Sequence, residues 1–248
     1  MPLESTDAFV VRTQRYQETS KIVTLYTKKF GKIALIAKGI RKADSKVGGI
    51  LEVINLISLV FYYKSSRNIQ LLKECELLNA FLRVRDSFEK TSVTYAIFEL
   101  INRSTEEEEP NERLFNFIYE ILKNLNEASR NTMNFYWYFV LKFLDILGFN
   151  INFGICAGCG KNILPNEANF KIEKGGVYCK TCSKDFNVDI EIAPETFKVL
   201  CKIQEISLNS LCNLTPSKRS GVEISQILHR FMSYHIEGFK VPTSLKMV

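Results

Sequence analysis

Hydrophobic and polar positions alternate with a period near two through the first 80 residues and near 3.6 beyond Ala80, so strands should give way to helices. Ala8–Thr13, Ser20–Thr27, Lys32–Ala37, Ile54–Tyr63 and Ile69–Glu74 are rich in β-branched and aromatic residues, and most are bounded by Gly, Ser, Asn or charged positions. Lys29-Phe30-Gly31-Lys32 predicts a hairpin between the second and third strands, with Gly31 taking the position that needs positive φ. A longer loop follows over Lys38–Gly49. Five short antiparallel strands closed as a Greek key make the OB architecture, in which the middle strands and adjoining loops form a face for oligonucleotides. Fold alone does not assign function.

Helical periodicity predicts helices near Asn79–Phe88, Thr91–Asn102, Glu112–Leu125 and Met133–Leu147, the last ended by Gly148. Glu106–Glu109 followed by Pro110 reads as a solvated linker whose acidic residues suit the start of the next helix. Phe135, Tyr136, Trp137, Tyr138, Phe139 and Phe143 crowd a helix that is apolar on all faces, the mark of a central core helix and not of a base-stacking platform. Ile224, Ile227, Leu228, Phe231 and His235 share one stripe of a closing amphipathic helix, with Gln226, Arg230 and Ser233 facing away. The expected class is α+β. A five-stranded barrel over residues 1–80 precedes a mainly helical domain over 81–248, with a cysteine module at about 154–186.

Charge sharpens this division. The net charge is +6, and residues 1–80 carry 13 basic against 7 acidic side chains, whereas residues 81–155 carry 8 against 11. Within Arg12–Lys46 there are 10 basic residues and only Glu18 and Asp44 to oppose them. Phe9, Tyr16, Tyr26 and Phe30 are interleaved with these cations, the pattern used for sequence-tolerant binding of single strands. Read blandly, the same segment is a soluble basic face with its aromatics in the barrel core. The long loop supplies Lys38, Arg41, Lys42 and Lys46 as candidate phosphate contacts, with Arg12 and Lys21 at the ends of neighbouring strands in support.

Four of seven cysteines form a spaced set, Cys156-Ala-Gly-Cys159 and Cys179-Lys-Thr-Cys182, separated by 19 residues. In a cytosolic chain, paired CxxC knuckles at this spacing favour tetrahedral zinc over disulfides. Four thiolates close the coordination shell and leave no position for water, which makes the expected Zn²⁺ structural. Gly158 and Gly160 suit a tight first knuckle, and Lys161, Lys180 and Lys184 can offset the negative zinc-thiolate centre. Cys75, Cys201 and Cys212 stand alone.

Catalytic markers are sparse. The chain has two histidines, His229 and His235, too far apart to share a helix face, and it lacks a GxxxxGK[ST] loop, a GxGxxG turn and a nucleophile elbow. The longest apolar run, Phe135–Phe149, contains Lys142 and Asp145 and is too short and polar to span a bilayer. Glu4 and Asp7 occupy the place of a signal peptide's basic start and apolar stretch, so the expected location is the cytosol, without a membrane partner. Three readings compete: a non-enzymatic DNA-binding protein, a zinc-bearing adaptor whose barrel contacts protein, and a metal-dependent nuclease.

Several runs together resemble the RecO family of bacterial recombination mediators. They are Glu18-Thr19-Ser20-Lys21-Ile22-Val23 leading into Leu25-Tyr26-Thr27, Gly31-Lys32-Ile33, Ala37-Lys38-Gly39-Ile40-Arg41, Phe139–Phe149 running into Cys156-Ala-Gly-Cys159-Gly160, and Tyr234-His235 before Ser244-Leu245-Lys246. The resemblance covers nearly the whole chain, departing at the second knuckle, where Ser183 follows Cys182 without a glycine. It implies an N-terminal OB domain, a helical body and a zinc module. It also implies a non-enzymatic DNA-repair function at the nucleoid: binding single- and double-stranded DNA, annealing complementary strands without ATP, and working with RecR and SSB to load RecA. Capture of the acidic, apolar-ended SSB C-terminal tail is the further implication, with Arg230 and Lys240 as the candidate cations beside the closing helix.

Overall fold

The computed structural model describes residues 2–40 and 47–247. The chain forms two compact units, Met1–Asn126 and Glu127–Val248. In the first, β1 (Leu3–Tyr16), β2 (Ser20–Thr27), β3 (Gly31–Ala37), β4 (Leu56–Tyr62) and β5 (Ile69–Asn79) close a barrel in the order β1-β2-β3-β5-β4. All pairings are antiparallel except β3 with β5, where Ala34, Leu35 and Ile36 align with Ile69, Gln70 and Leu71. The five expected strands are present, and β1 is longer at both ends than its apolar stretch. Leu3–Phe9 pairs with β4 and Ala8–Tyr16 with β2, so a register shift between Val10 and Arg12 lets one strand serve two neighbours.

Alternation fills the barrel. Ala8, Val10, Val23, Leu25, Ile33, Leu35, Ala37, Ile57, Leu59 and Phe61 form its buried interior, and Phe9 turns outward onto Phe81, Phe98 and Phe115. The expected hairpin forms at Gly31, whose φ is +62, and Thr27 Oγ1 accepts the Phe30 N–H at 2.9 Å.

Helices α1 (Leu82–Arg85), α2 (Phe88–Ser104) and α3 (Glu112–Glu127) follow the barrel. The helix expected over Asn79–Phe88 is a single turn. Asn79 still belongs to β5, its side-chain oxygen accepts the Phe81 N–H at 2.8 Å, and Phe81 adopts a left-handed conformation at φ +46 that a continuous helix excludes. The acidic linker also departs from expectation. It docks on the barrel: Glu107 bridges Lys32, and the Glu108 N–H donates to the Lys32 carbonyl at 3.0 Å.

The second unit is built around α4 (Met133–Ile146), whose Phe135, Tyr136, Trp137, Phe139 and Phe143 are buried, as a central core helix requires. Gly148 ends it at φ +91, and the Phe149 N–H closes back on the Leu144 carbonyl at 2.9 Å. The strands β6 (Asn169–Lys171), β7 (Gly176–Tyr178) and β8 (Ile190–Glu191) form a small sheet in the order β7-β6-β8. They are followed by α5 (Pro194–Glu205), a 3-10 turn over Leu208–Asn213 and α6 (Lys218–His235). The closing helix buries Ile224, Ile227, Leu228 and Phe231 and exposes Gln226, Arg230 and Ser233. Among the described residues, no helix is long and apolar enough to cross a membrane.

Candidate metal centre and nucleic-acid interface

The two cysteine knuckles meet. The ligand atoms of Cys156, Cys159, Cys179 and Cys182 all lie within 4.8 Å of one another. Each knuckle is a tight turn closed by backbone. The Gly160 N–H donates to the Cys156 carbonyl at 2.8 Å, and the Ser183 N–H donates to the Cys179 carbonyl at 3.0 Å. The small sheet sets their separation, because β7 runs directly into Cys179 and the Val177 carbonyl accepts the Ala157 N–H at 2.8 Å. Both expected glycines matter, for different reasons. Gly160 has φ +70, whereas a Cβ on Gly158 would lie 3.2 Å from Cys182 Sγ. Ser183 takes its place without strain, buried and within hydrogen-bond distance of Asn169 Nδ2 at 3.2 Å.

This donor set fits a tetrahedral thiolate-binding metal. Bonds of about 2.3 Å at tetrahedral angles separate sulfurs by roughly 3.8 Å, inside the observed limit. Burial disfavours the thiolate at Cys156, but N–H groups of Cys179, Cys159 and Gly158 directed at its sulfur outweigh burial and lower the thiol to about 6. The Cys179 N–H is 3.3 Å from that sulfur. Cys182 is held well above the usual thiol range because its proton is shared with Cys179 and Cys159. A metal ion must displace that proton, so binding strengthens as pH rises. Cys75 and Cys201 are pushed up to about 11 chiefly by burial, which leaves them unreactive.

The barrel places the basic segment at two opposite ends. At one, Arg15 pairs across with Lys21 and Lys21 with Ala37, which brings Arg15, Lys21 and Lys38 into neighbouring rows, with Arg12 a short way along β1. Arg12, Arg15 and Lys38 are exposed and have no ion pair among the described residues. Lys21 is half-buried and paired with Glu52 at 2.8 Å. Arg41, Lys42 and Lys46 lie outside the described residues. At the hairpin end the lysines are occupied: Lys28 pairs with Glu112 at 3.1 Å, and Lys29 donates to the Ser5 carbonyl at 3.0 Å. Lys32 donates to the carbonyls of Asn102 and Thr105 at 2.8 and 2.6 Å, where α2 ends. Of the interleaved aromatics, Phe9 and Tyr26 are buried and Tyr16 is exposed, so most of them serve packing.

Two family descriptions match the chain, "Recombination protein O N terminal" over residues 1–81 and "Recombination protein O C terminal" over residues 85–244. The chain belongs to the RecO family. Similar proteins include the DNA repair protein RecO of Chloroherpeton thalassium, 30% identical over 242 residues that cover 95% of this chain and 93% of that protein. Those of Syntrophus aciditrophicus and Bacillus subtilis are 29% and 28% identical, covering 98% and 91% of this chain and 94% and 87% of their own. This RecO-family DNA repair protein thus carries a closed five-stranded barrel, a helical part and a four-cysteine cluster that can hold a metal ion.

On α6, Arg230 is exposed and its guanidinium reaches the Asp189 carbonyl at 3.4 Å, while Lys240 is exposed beyond the helix. A cleft of about 800 Å³ lies at the other end of this helix, where Lys218, Arg219 and Gln226 face Glu167, Glu191 and Glu223. Sequence reasoning did not single out that cleft; α5, starting at Pro194 and burying Phe197, Leu200 and Ile203, was its missed helical signal.

His229 is half-buried against the core, with a titration consequence. Its Nε2 lies 3.0 Å from the Tyr136 hydroxyl, and burial lowers its pKa to about 4. Between that value and the unfolded pKa of about 6.5, the unfolded chain binds the proton and the folded chain does not, so stability falls as pH drops through this window. Between pH 7 and 5 the loss from this residue is expected to be about 2 kcal/mol. Urea unfolding of His229→Gln should show a correspondingly weaker pH dependence, and an unchanged one would remove His229 from this role.

Proposed function

We propose that this protein is a non-enzymatic recombination mediator that binds single- and double-stranded DNA, anneals complementary strands without ATP, and acts with RecR to load RecA onto SSB-coated strands. Residues 1–80 serve as the DNA-binding OB domain and residues 81–248 as a helical domain, with Zn²⁺ pinning the module at about 154–186 through Cys156, Cys159, Cys179 and Cys182. The observation that carries this reading is the set of exposed cations at one end of a closed barrel, in a chain matched to DNA repair proteins along its length. Arg12, Lys21, Lys38, Arg41, Lys42 and Lys46 contact phosphates. Lys21 does so only after exchanging its Glu52 partner.

Recruitment runs through the acidic C-terminal tail of SSB, held by Arg230 and Lys240, and the two tethered contacts reinforce each other. The protein acts in the cytoplasm, at the nucleoid. Mixing it with complementary strands coated by SSB, with and without ATP, is expected to give annealing in both cases. No annealing, or annealing only with ATP, would overturn the mediator reading in favour of a zinc-bearing adaptor or an ATP-dependent process. In the same assay, charge reversal at Arg230 and Lys240 should reduce assembly on coated strands and spare naked DNA. Unimpaired assembly would move tail capture to another surface, the cleft at Lys218 and Arg219 being the first to test.

A further inference from the structure

We propose that the acidic strap Glu106–Glu109 fences the hairpin end of the barrel against DNA, confining the strand to the Arg15 and Lys38 end and so limiting the length one chain covers. This rests on the DNA-binding reading above. The strap is fixed by its backbone, through the Lys32–Glu107 bridge and the Glu108 N–H to the Lys32 carbonyl. The barrel accommodates it only because residue 31 is glycine: a Cβ there would sit 2.1 Å from the Glu109 carbonyl oxygen. Lys32, lying on the α2 carbonyls, holds the start of the strap, and the Tyr63 hydroxyl donates to Glu108 at 3.2 Å.

All four strap carboxylates are on exposed residues, so they contribute charge and not burial. Around the hairpin, Glu4, Asp7, Glu106, Glu107, Glu108, Glu109 and Glu112 outnumber Lys28, Lys29, Lys32, Lys64 and Arg67. At the other end Arg15, Lys21 and Lys38 outnumber Glu18 and Glu52. Lys21 lies six residues from Thr27 along β2, roughly 20 Å, and Arg12, opposite Thr24, is three residues away, roughly 10 Å. The Debye length is about 8 Å at physiological salt, so the strap repels phosphates at its own end without weakening the cationic end. At about 0.01 M salt, where screening extends to about 30 Å, it opposes binding across the whole barrel.

Titration of the full-length protein with oligothymidylates of increasing length at about 0.15 M salt tests this. Replacing Glu106, Glu107, Glu108, Glu109 and Glu112 by Gln keeps the backbone bridges. It should enlarge the occluded site, within the about 4 to 16 nucleotides typical of an OB fold. The salt slope should steepen by up to about 1.4, as Lys28 and Lys29 each gain a phosphate. Lys28→Glu with Lys29→Glu should leave the slope of the parent unchanged and abolish the gain in the glutamine variant. The fence is overturned if the parent binds DNA with a normal salt slope while the glutamine variant shows the same site size and slope, or if Lys28→Glu with Lys29→Glu weakens the parent. A parent that shows no salt-dependent binding overturns the DNA-binding reading itself, a result distinct from both.

Discussion

Loss of the metal is expected to disrupt the second unit and to leave DNA affinity nearly intact. In small zinc modules, binding of the ion corresponds to about 10 to 16 kcal/mol of apparent free energy. A fraction of that rivals the roughly 5 to 15 kcal/mol that stabilises an ordinary domain. Here the ion would join two turns that otherwise meet through short contacts, chiefly the Cys179 N–H on Cys156 Sγ and the Ala157 N–H on the Val177 carbonyl. Without it, four sulfurs within 4.8 Å are left to share protons or repel as thiolates. Elemental analysis should find one zinc per chain. Cys156→Ser should lower the melting temperature by several degrees or more and expose the buried Tyr178. The absence of metal in freshly purified protein would overturn the assignment. So would a Cys156→Ser variant that melts normally and loses DNA binding, since that would make the cysteines a DNA surface.

Removing charge from the cationic end should have the opposite signature, a large loss of DNA affinity at unchanged stability. Each phosphate neutralised on a single strand releases counterions and contributes about 0.7 to the slope of log affinity against log salt. Replacing Arg12, Lys38, Arg41 and Lys42 by Gln should flatten that slope by up to about 2.8 and weaken binding about a hundredfold at physiological salt. Arg12 and Lys38 are exposed and unpaired among the described residues, so their loss removes little from the fold. A variant with an unchanged slope would place the DNA elsewhere on the protein.

These two results separate because local sequence and tertiary placement contribute differently to the two sites. The cysteine cluster was legible from spacing, since a CxxC turn is local and two such turns need one sheet to bring them together. The barrel was legible from its period of two, and Gly31 from its place in a hairpin. What failed was local as well. The single turn of α1 was obscured because Leu82 and Val84 continue an apolar pattern, while the decisive feature is the left-handed Phe81 backbone. The two-residue β8 and the short β6 and β7 are too brief for periodicity to register.

The amino-acid sequence determined by itself that this chain has a strand-rich, basic front and a helical, cysteine-bearing remainder, because alternation and ligand spacing are properties of neighbours along the chain. Tertiary structure alone decided which cations are available. Arg12, Lys28, Lys32 and Lys38 look alike in a run of basic residues. Barrel register carries Lys38 to one end and Arg12 to mid-strand opposite Thr24, and turns Lys28 onto Glu112 and Lys32 onto the carbonyls of α2. The acidic run that reads as a free linker docks on β3 because a glycine 75 or more positions earlier leaves room for its backbone. Charge is written residue by residue, but its field depends on distances between segments remote in sequence, and only the folded chain sets those distances.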